Sequence, residues 1–275
     1  MNVRKIYMIL FSALCFCLSL SAQDAQDSTD IVAPVSGHEF AGTNTVYSKA
    51  AADSAYMENK YLDAVYMYEA LLAENGESAE LRYNLGNSYY KANNIAKAIL
   101  NYEKALLLAP ADDDIKANLE IAKSKTVDKE EAESEFFISA WFTSVCNAMN
   151  ANQWGRMGVA SFILLLICFS LYLFHKKVVV KKVCFFASIL FLLFTIIANV
   201  AGHRQKSGLL QHDEAIVMTP SVTVRSTPSE SGTELFIIHE GHKVKIRDGS
   251  MKDWKEISIS DNQVGWVHTS AIEII

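Results

Sequence analysis

Five cysteines and the histidines His239, His242 and His268 are the residues of this sequence best suited to chemistry. A thiolate beside an imidazole would make a nucleophile, and imidazoles converging on one point would hold zinc. Cys15 and Cys17 fall in an N-terminal apolar run, and Cys168 and Cys184 in two further apolar runs. Cys146 alone remains outside them; it offers no internal disulfide framework and reads as a free buried thiol. His239 and His242 bracket Gly241 with His268 downstream, at spacings that match no zinc motif. GxSxG, GxxxxGK[ST], HExxH and CxxC are all absent. The expectation is no catalytic residue, no metal and no cofactor, in a chain that binds rather than reacts. A net charge of -6, without a basic patch interleaved with aromatics, argues against a nucleic-acid partner.

The elements that carry these residues divide between lipid and water. Arg4 and Lys5, the apolar run Ile6 to Leu20 and the small residues to Ala22 have the three parts of a secretory signal over 1–22. Cleavage is the favoured reading and an uncleaved anchor helix the rival. Residues 23–44 are polar and aperiodic, a linker. Residues 157–174 and 183–200 are nearly unbroken apolar runs, each long enough for a transmembrane helix. The loop 175–182 between them carries Lys176, Lys177, Lys181 and Lys182, so the positive-inside bias sets it in the cytoplasm. Both flanking regions are then periplasmic and the protein sits in a bacterial inner membrane, the topology that the export signal independently demands. Ahead of the first span, residues 135–155 hold Phe136, Phe137, Trp141 and Phe142. They read as an interfacial amphipathic segment in contact with the lipid bilayer, with packing on a soluble domain as the alternative.

The region 45–126 repeats itself. At a 34-residue step Asn59 falls on Asn93, Tyr61 on Ile95, Ala64 on Ala98 and Tyr68 on Tyr102. Thirty-four residues is the period of a helix-turn-helix repeat. Leu85, Gly86, Tyr89, Ala98, Tyr102, Ala105 and Pro110 resemble the tetratricopeptide signature, giving units 45–78 and 79–112 with a capping helix after them. Gly86 and Ala98 let the paired helices approach, and Pro110 ends the second helix. Arg82 and Ser48 stand where the signature has tryptophan, and the first unit has Ala52 for the glycine. The aspartates after Pro110 suit an N-cap. The resemblance implies a groove lined by Lys49, Asp53, Tyr56, Tyr83, Asn84, Asn87, Tyr90 and Lys91. Lys49 and Asn84 fall where some family members clamp a peptide carboxylate, whereas Asp53 and Asp114 depart from that pattern. From Gln23 to Glu135 there are 21 acidic and 10 basic residues, a solvated acidic face or a preference for basic segments.

Beyond residue 210 the apolar pattern changes to period two, in short runs separated by Gly, Ser, Pro and Asp turns. Val222 to Arg225, Leu235, Gly241, Val244, Ile246, Trp254, Ile257 and Gly265 to Val267 resemble a bacterial SH3-type domain over 210–275. Arg225, Trp254 and Trp266 are its candidate structural or ligand-face residues, with wall or core packing the commoner role for such tryptophans. The fold class is therefore a multidomain membrane protein. It has all-α tetratricopeptide hairpins, a two-helix transmembrane hairpin and a small all-β SH3-like barrel.

The order of signal, repeats, membrane hairpin and barrel resembles the BatE-type repeat proteins of the Bat aerotolerance operon of Bacteroidetes. That resemblance implies a scaffold or adaptor in tolerance of oxidative or envelope stress. Its partners would be Bat-operon membrane proteins with von Willebrand A-type domains. The alternative is a peptidoglycan-binding module that recruits cell-wall machinery. Bacterial SH3 domains can also accompany cysteine peptidases, yet no third domain to hold such a site is expected from this sequence.

Overall fold

The structure is a computed structural model describing residues 47–129, 137–211, 213–260 and 263–275. The segments 1–22 and 23–44 and Phe136 lie outside the described residues. Helices α1 (Lys49–Met57) and α2 (Tyr61–Asn75) form one hairpin, and α3 (Ala79–Lys91) and α4 (Ile95–Leu108) a second; α5 (Asp113–Lys123) packs on α4. Each hairpin turns through the asparagine that recurs at the repeat step. Asn59 has φ 61° and Asn93 φ 62°, a left-handed conformation that asparagine tolerates better than most residues. Ser48 caps α1, Asn94 caps α4, and Asp112 accepts from the backbone of Asp114 and Ile115 to start α5. Pro110 is buried two residues beyond the end of α4.

Close packing explains Gly86. A Cβ there would lie 2.7 Å from Cδ1 and Cε1 of Tyr102, so the α4 ring occupies the space that any side chain on α3 would need. Ala52, Ala64, Ala98 and Ala105 are fully buried in the same core as Tyr68, Leu85 and Tyr102. Arg82, at the tryptophan position, donates from Nη1 to the buried Asn101 Oδ1 at 2.9 Å and pairs with Glu77.

Helix α6 (Phe137–Asn147) leads into α7 (Ala151–Phe174) and α8 (Val178–Leu210); the last two are long and apolar enough to cross a membrane. Residues 135–155 are not one segment. Asn150 Oδ1 accepts from the Gln153 backbone at 2.9 Å and Gln153 Oε1 from the Asn150 backbone at 3.1 Å, a capping box that starts α7 at Ala151. The loop expected over 175–182 is also shorter, since only 175–177 lies between the helices. The stretch from Val178 to Lys182 continues α8, consistent with long lysine stems that extend their charges away from an apolar run. Along the hairpin Gly158 faces Ala198, Gly202 faces Trp154, and the Ser161 hydroxyl donates to the Phe191 carbonyl at 3.0 Å.

The C-terminal region is an antiparallel seven-stranded sheet of SH3 type. Its strands are β1 (Glu214–Val217), β2 (Ser221–Arg225), β3 (Glu234–His239), β4 (Lys243–Asp248), β5 (Trp254–Ser260), β6 (Gln263–His268) and β7 (Ile272–Ile274). Their order is β3-β2-β6-β5-β4-β1-β7. Ala215, Val217, Val224, Ile238, Val244, Ile257 and Val267 fill its core by strict alternation. Ile216 points to the other face of β1 and is equally buried, because it and Ile275 pack into the helical core of the repeats. The barrel therefore docks on the repeats, and β1 is covered on both faces.

Candidate functional site

The residues expected to line the groove form two internally bonded clusters. In the first, the Lys49 ammonium pairs with Asp53 at 3.0 Å and with Glu80 of α3 at 2.8 Å. Those two carboxylates raise the Lys49 pKa, Glu80 first. Burial pushes Asp53 up, but the Tyr68 hydroxyl and the Lys49 ammonium outweigh it and hold the carboxyl below its usual range. Burial followed by the Asp53 bond pushes the Tyr68 phenol far up, and Asn84 opposes this by bonding to the same phenol. Lys49 is thus engaged by two carboxylates of its own chain, and a peptide carboxylate would have to displace them.

The second cluster joins α3, α4 and α5. Asn87 Oδ1 accepts from the Tyr102 hydroxyl at 2.7 Å and from Asn118 Nδ2 at 3.0 Å; Asn118 Nδ2 also donates to the Tyr83 hydroxyl at 2.8 Å. Among the described residues no contact uses the Asn87 Nδ2 donors or the Asn118 Oδ1 acceptor. The Tyr83 oxygen accepts in this network and keeps its own proton to donate. A donor and an acceptor side by side match the N–H and C=O of a peptide main chain. Sequence reasoning missed Asn118, although the 34-residue step carries Asn84 onto it. Tyr56 stacks edge-on with Tyr61 at 5.5 Å, Tyr90 is half-buried on the repeat core, and Lys91 is exposed at the end of α3.

The barrel meets the repeats elsewhere, on α4 and the chain beyond α5. Glu103 of α4 is only 6 % exposed and pairs with Lys123 at 3.0 Å and with Lys243 of β4 at 3.1 Å; Lys243 also pairs with Glu214 at 2.7 Å. Burial pushes the Glu103 carboxyl up, yet the Lys243 and Lys123 ammoniums hold it below the usual range. Burial lowers Lys243 while Glu103 and Glu214 raise it further, so its net pKa is raised. Asp128 accepts from the His239 backbone at 2.7 Å and lies 2.9 Å from its Nδ1. Gly241, at φ 81°, comes so close that a Cβ would lie 2.6 Å from Thr126 Cγ2 and 3.1 Å from Ile99 Cδ1. None of the described contacts of Lys49, Asp53, Tyr83 or Asn87 involves the barrel. The described docking contacts therefore fall on the second helix of the second unit, away from Lys49, Asp53, Tyr83 and Asn87.

On the barrel, Trp254 and Trp266 are half-exposed and stand outside its core. Register puts Glu256, Trp266 and Arg225 side by side across β5, β6 and β2, with Trp254 opposite His268. The Arg225 guanidinium bonds the Gly232 carbonyl at 3.0 Å and lies 3.7 and 3.8 Å from Glu230 and Glu234. These side chains form one outward face of aromatic and charged groups. The three histidines are not gathered: His239 engages Asp128, His242 is buried, and His268 contacts Trp254 and Ser270. Cys146 is buried among Trp154, Ala198 and Ala201.

Comparison with known proteins agrees with this division. Residues 79–112 match the tetratricopeptide repeat family, and residues 220–273 match the bacterial SH3 domain family. No curated protein matches the chain. Two matched modules flank two helices long and apolar enough to cross a membrane. Both matched modules suggest protein–protein interaction, and the barrel is also compatible with cell-wall binding.

Proposed function

We propose that the chain is a non-catalytic scaffold anchored in a bacterial inner membrane, with the repeats and the barrel both in the periplasm. The observation that carries this is the docking of the barrel on α4, with its described contacts away from the groove residues Lys49, Asp53, Tyr83 and Asn87. Two regions joined by a membrane hairpin touch one another only if both ends of that hairpin emerge on one side, and the four lysines between the spans favour the cytoplasm for the other side. In the groove, Tyr83, Asn87 and Asn118 offer hydrogen bonds to an extended or helical partner segment. The barrel, fixed beside it, supplies a second contact that raises the effective concentration. By its BatE-like order of domains, the partners are membrane proteins of the Bat operon with von Willebrand A-type domains, and the process is aerotolerance or envelope stress.

The test is affinity recovery of the tagged full chain from native membranes. Recovery of von Willebrand A-type membrane proteins, lost on combining Tyr83→Phe with Lys91→Glu at unchanged thermal stability, is the expected result. Recovery that survives this double change removes the groove from the proposal.

The outward Trp254, Trp266 and His268 face favours a second reading, in which the barrel holds peptidoglycan and the repeats recruit wall machinery. Detergent-solubilised full chain should then co-sediment with purified peptidoglycan, and Trp266→Ala should weaken it. Absence of co-sedimentation eliminates this reading and leaves the scaffold intact.

A further inference from the structure

We infer that α6 and the outer end of α8 form a binding surface for anionic phospholipid headgroups, resting on the reading that α7 and α8 span a membrane. Position comes first. Phe142, Val145 and Met149 pack around Cys146, Trp154, Ala198 and Ala201, together with Phe194. The inner face of α6 therefore lies against the last turns of the second apolar run, at the margin of the bilayer. Three hydrogen bonds tie the elbow behind it: the Cys146 carbonyl accepts from Trp154 Nε1 at 2.9 Å and from Gln205 Nε2 at 3.1 Å, and Gln205 also donates to Asn147 Oδ1 at 2.7 Å. At that depth α6 turns outward Phe137, Ile138 and Trp141, the last 66 % exposed. Three large apolar side chains held at a bilayer edge are covered by lipid at the headgroup–acyl boundary.

Charge then selects the lipid. From residue 137 to 211 the sequence has no Asp or Glu; Arg156, Arg204 and Lys206 fall at the outer end, and Lys176, Lys177, Lys181 and Lys182 at the opposite end. The acidic residues of this otherwise acidic chain all lie outside the membrane module. Arg204 is four residues beyond the apolar run that ends at Val200, roughly 6 Å along a helix axis, which is headgroup depth. Its guanidinium lies 5.7 Å from the centre of the Phe142 ring, and Nη2 is 3.4 Å from the Thr143 hydroxyl. Stacking on α6 orients the planar fork while leaving most of its five donors for phosphate oxygens. A zwitterionic headgroup satisfies the same donors but brings its own ammonium, so the surface prefers a net negative lipid.

The experiment is quenching of Trp141 in the full chain reconstituted in vesicles of mixed phosphatidylcholine and phosphatidylglycerol, bromine being carried by one lipid at a time. The Trp141 signal is the difference between the wild type and Trp141→Phe. Brominated phosphatidylglycerol should quench it as though enriched about fivefold over its bulk share, the factor expected for one basic residue near a membrane surface. Arg204→Gln should abolish the preference while both lipids still quench, and Arg204→Lys should restore part of it. Equal quenching by both lipids in the wild type overturns the headgroup preference. A Trp141 that neither lipid quenches, in protein that still floats with the vesicles, overturns the lipid surface and assigns the face to a protein. Failure to float removes the membrane reading itself.

Discussion

The contact between barrel and repeats is the feature on which the functional reading depends, and Glu103→Gln tests it directly. The substitution keeps shape and removes one charge from a set of four. Glu103 is 6 % exposed, and its carboxylate is shared by Lys123 at 3.0 Å and Lys243 at 3.1 Å. Removing one partner of a buried pair costs about 3–5 kcal/mol, because the remaining charge stays desolvated. Here the two lysine side chains are 19 % and 25 % exposed, and Lys243 retains Glu214. The loss should fall below that range, at about 2–3 kcal/mol, or a drop of about 4–12 °C in the midpoint for a unit of this size.

Hydrogen exchange locates the damage. Ile216 on β1 is buried only because the repeats cover it, so β1 and α4 should lose protection together while β2 and β6 keep theirs. A double-mutant cycle with Lys243→Gln should return a coupling of about 1 kcal/mol or more, since the residues touch. Coupling near zero, with β1 protection unchanged, would refute the docked arrangement and the one-sided topology argued from it. The pH dependence has a fixed sign. Glu103 has a depressed pKa, so its contribution is present above the ordinary carboxylate range and is lost as pH falls through the depressed value. Lys243 has a raised pKa, so its contribution is complete below the ordinary lysine range and is lost as pH rises through the raised value. Docking should be strongest across the neutral range and loosen toward both extremes.

Four further outcomes are expected. Gly86→Ala gains helix propensity but drives a methyl into the Tyr102 ring; overpacking should outweigh it, for a net loss of about 1–2 kcal/mol in denaturant unfolding. Gly241→Ala meets Thr126 and a left-handed backbone, so it should release β1 protection as Glu103→Gln does while the circular dichroism of the helices persists. Asn87→Ala leaves the Tyr102 hydroxyl without its acceptor and should cost about 1–2 kcal/mol. Tyr83→Phe removes only a hydroxyl from the network and should leave the unfolding free energy within about 1 kcal/mol of wild type.

The helices and strands were legible because each rests on a local rule. The 34-residue step carries Ala64 to Ala98 and Asn59 to Asn93, and the second pair proves to be the left-handed turn residue of each hairpin. Period-two alternation likewise marks Val222 and Val224 as barrel core. Two ends differ for equally local reasons: the Asn150 capping box starts a helix inside 135–155, and Lys181 and Lys182 read as loop although they lie in the first turns of a helix. The groove was half legible. Its positions follow from the repeat, but their state depends on partners from other helices, so Lys49 was not seen to be neutralised by Glu80, nor Asn87 to be tied to Asn118. The docking face was illegible. Glu103 on an amphipathic helix reads as a solvated charge until Lys243, 140 residues away, closes over it.

That docking constrains how a partner can act. The barrel grips α4 through Glu103 and the end of the repeat region through Asp128, while the groove residues sit on α1, α3 and α5. A ligand in the groove and the docked barrel share α4, because Tyr102 reaches across to Asn87 from the same helix that carries Glu103. A segment that pulled Asn87 toward itself would weaken the Tyr102 bond and shift α4 under the barrel. Binding that leaves the Asn87–Tyr102 bond intact, using only the Asn87 Nδ2 donors and the Asn118 Oδ1, would leave the barrel in place. Since cores resist displacement of buried rings, the second mode costs less. The groove is therefore expected to hold a partner segment with the barrel still docked, both surfaces presented together at a fixed spacing.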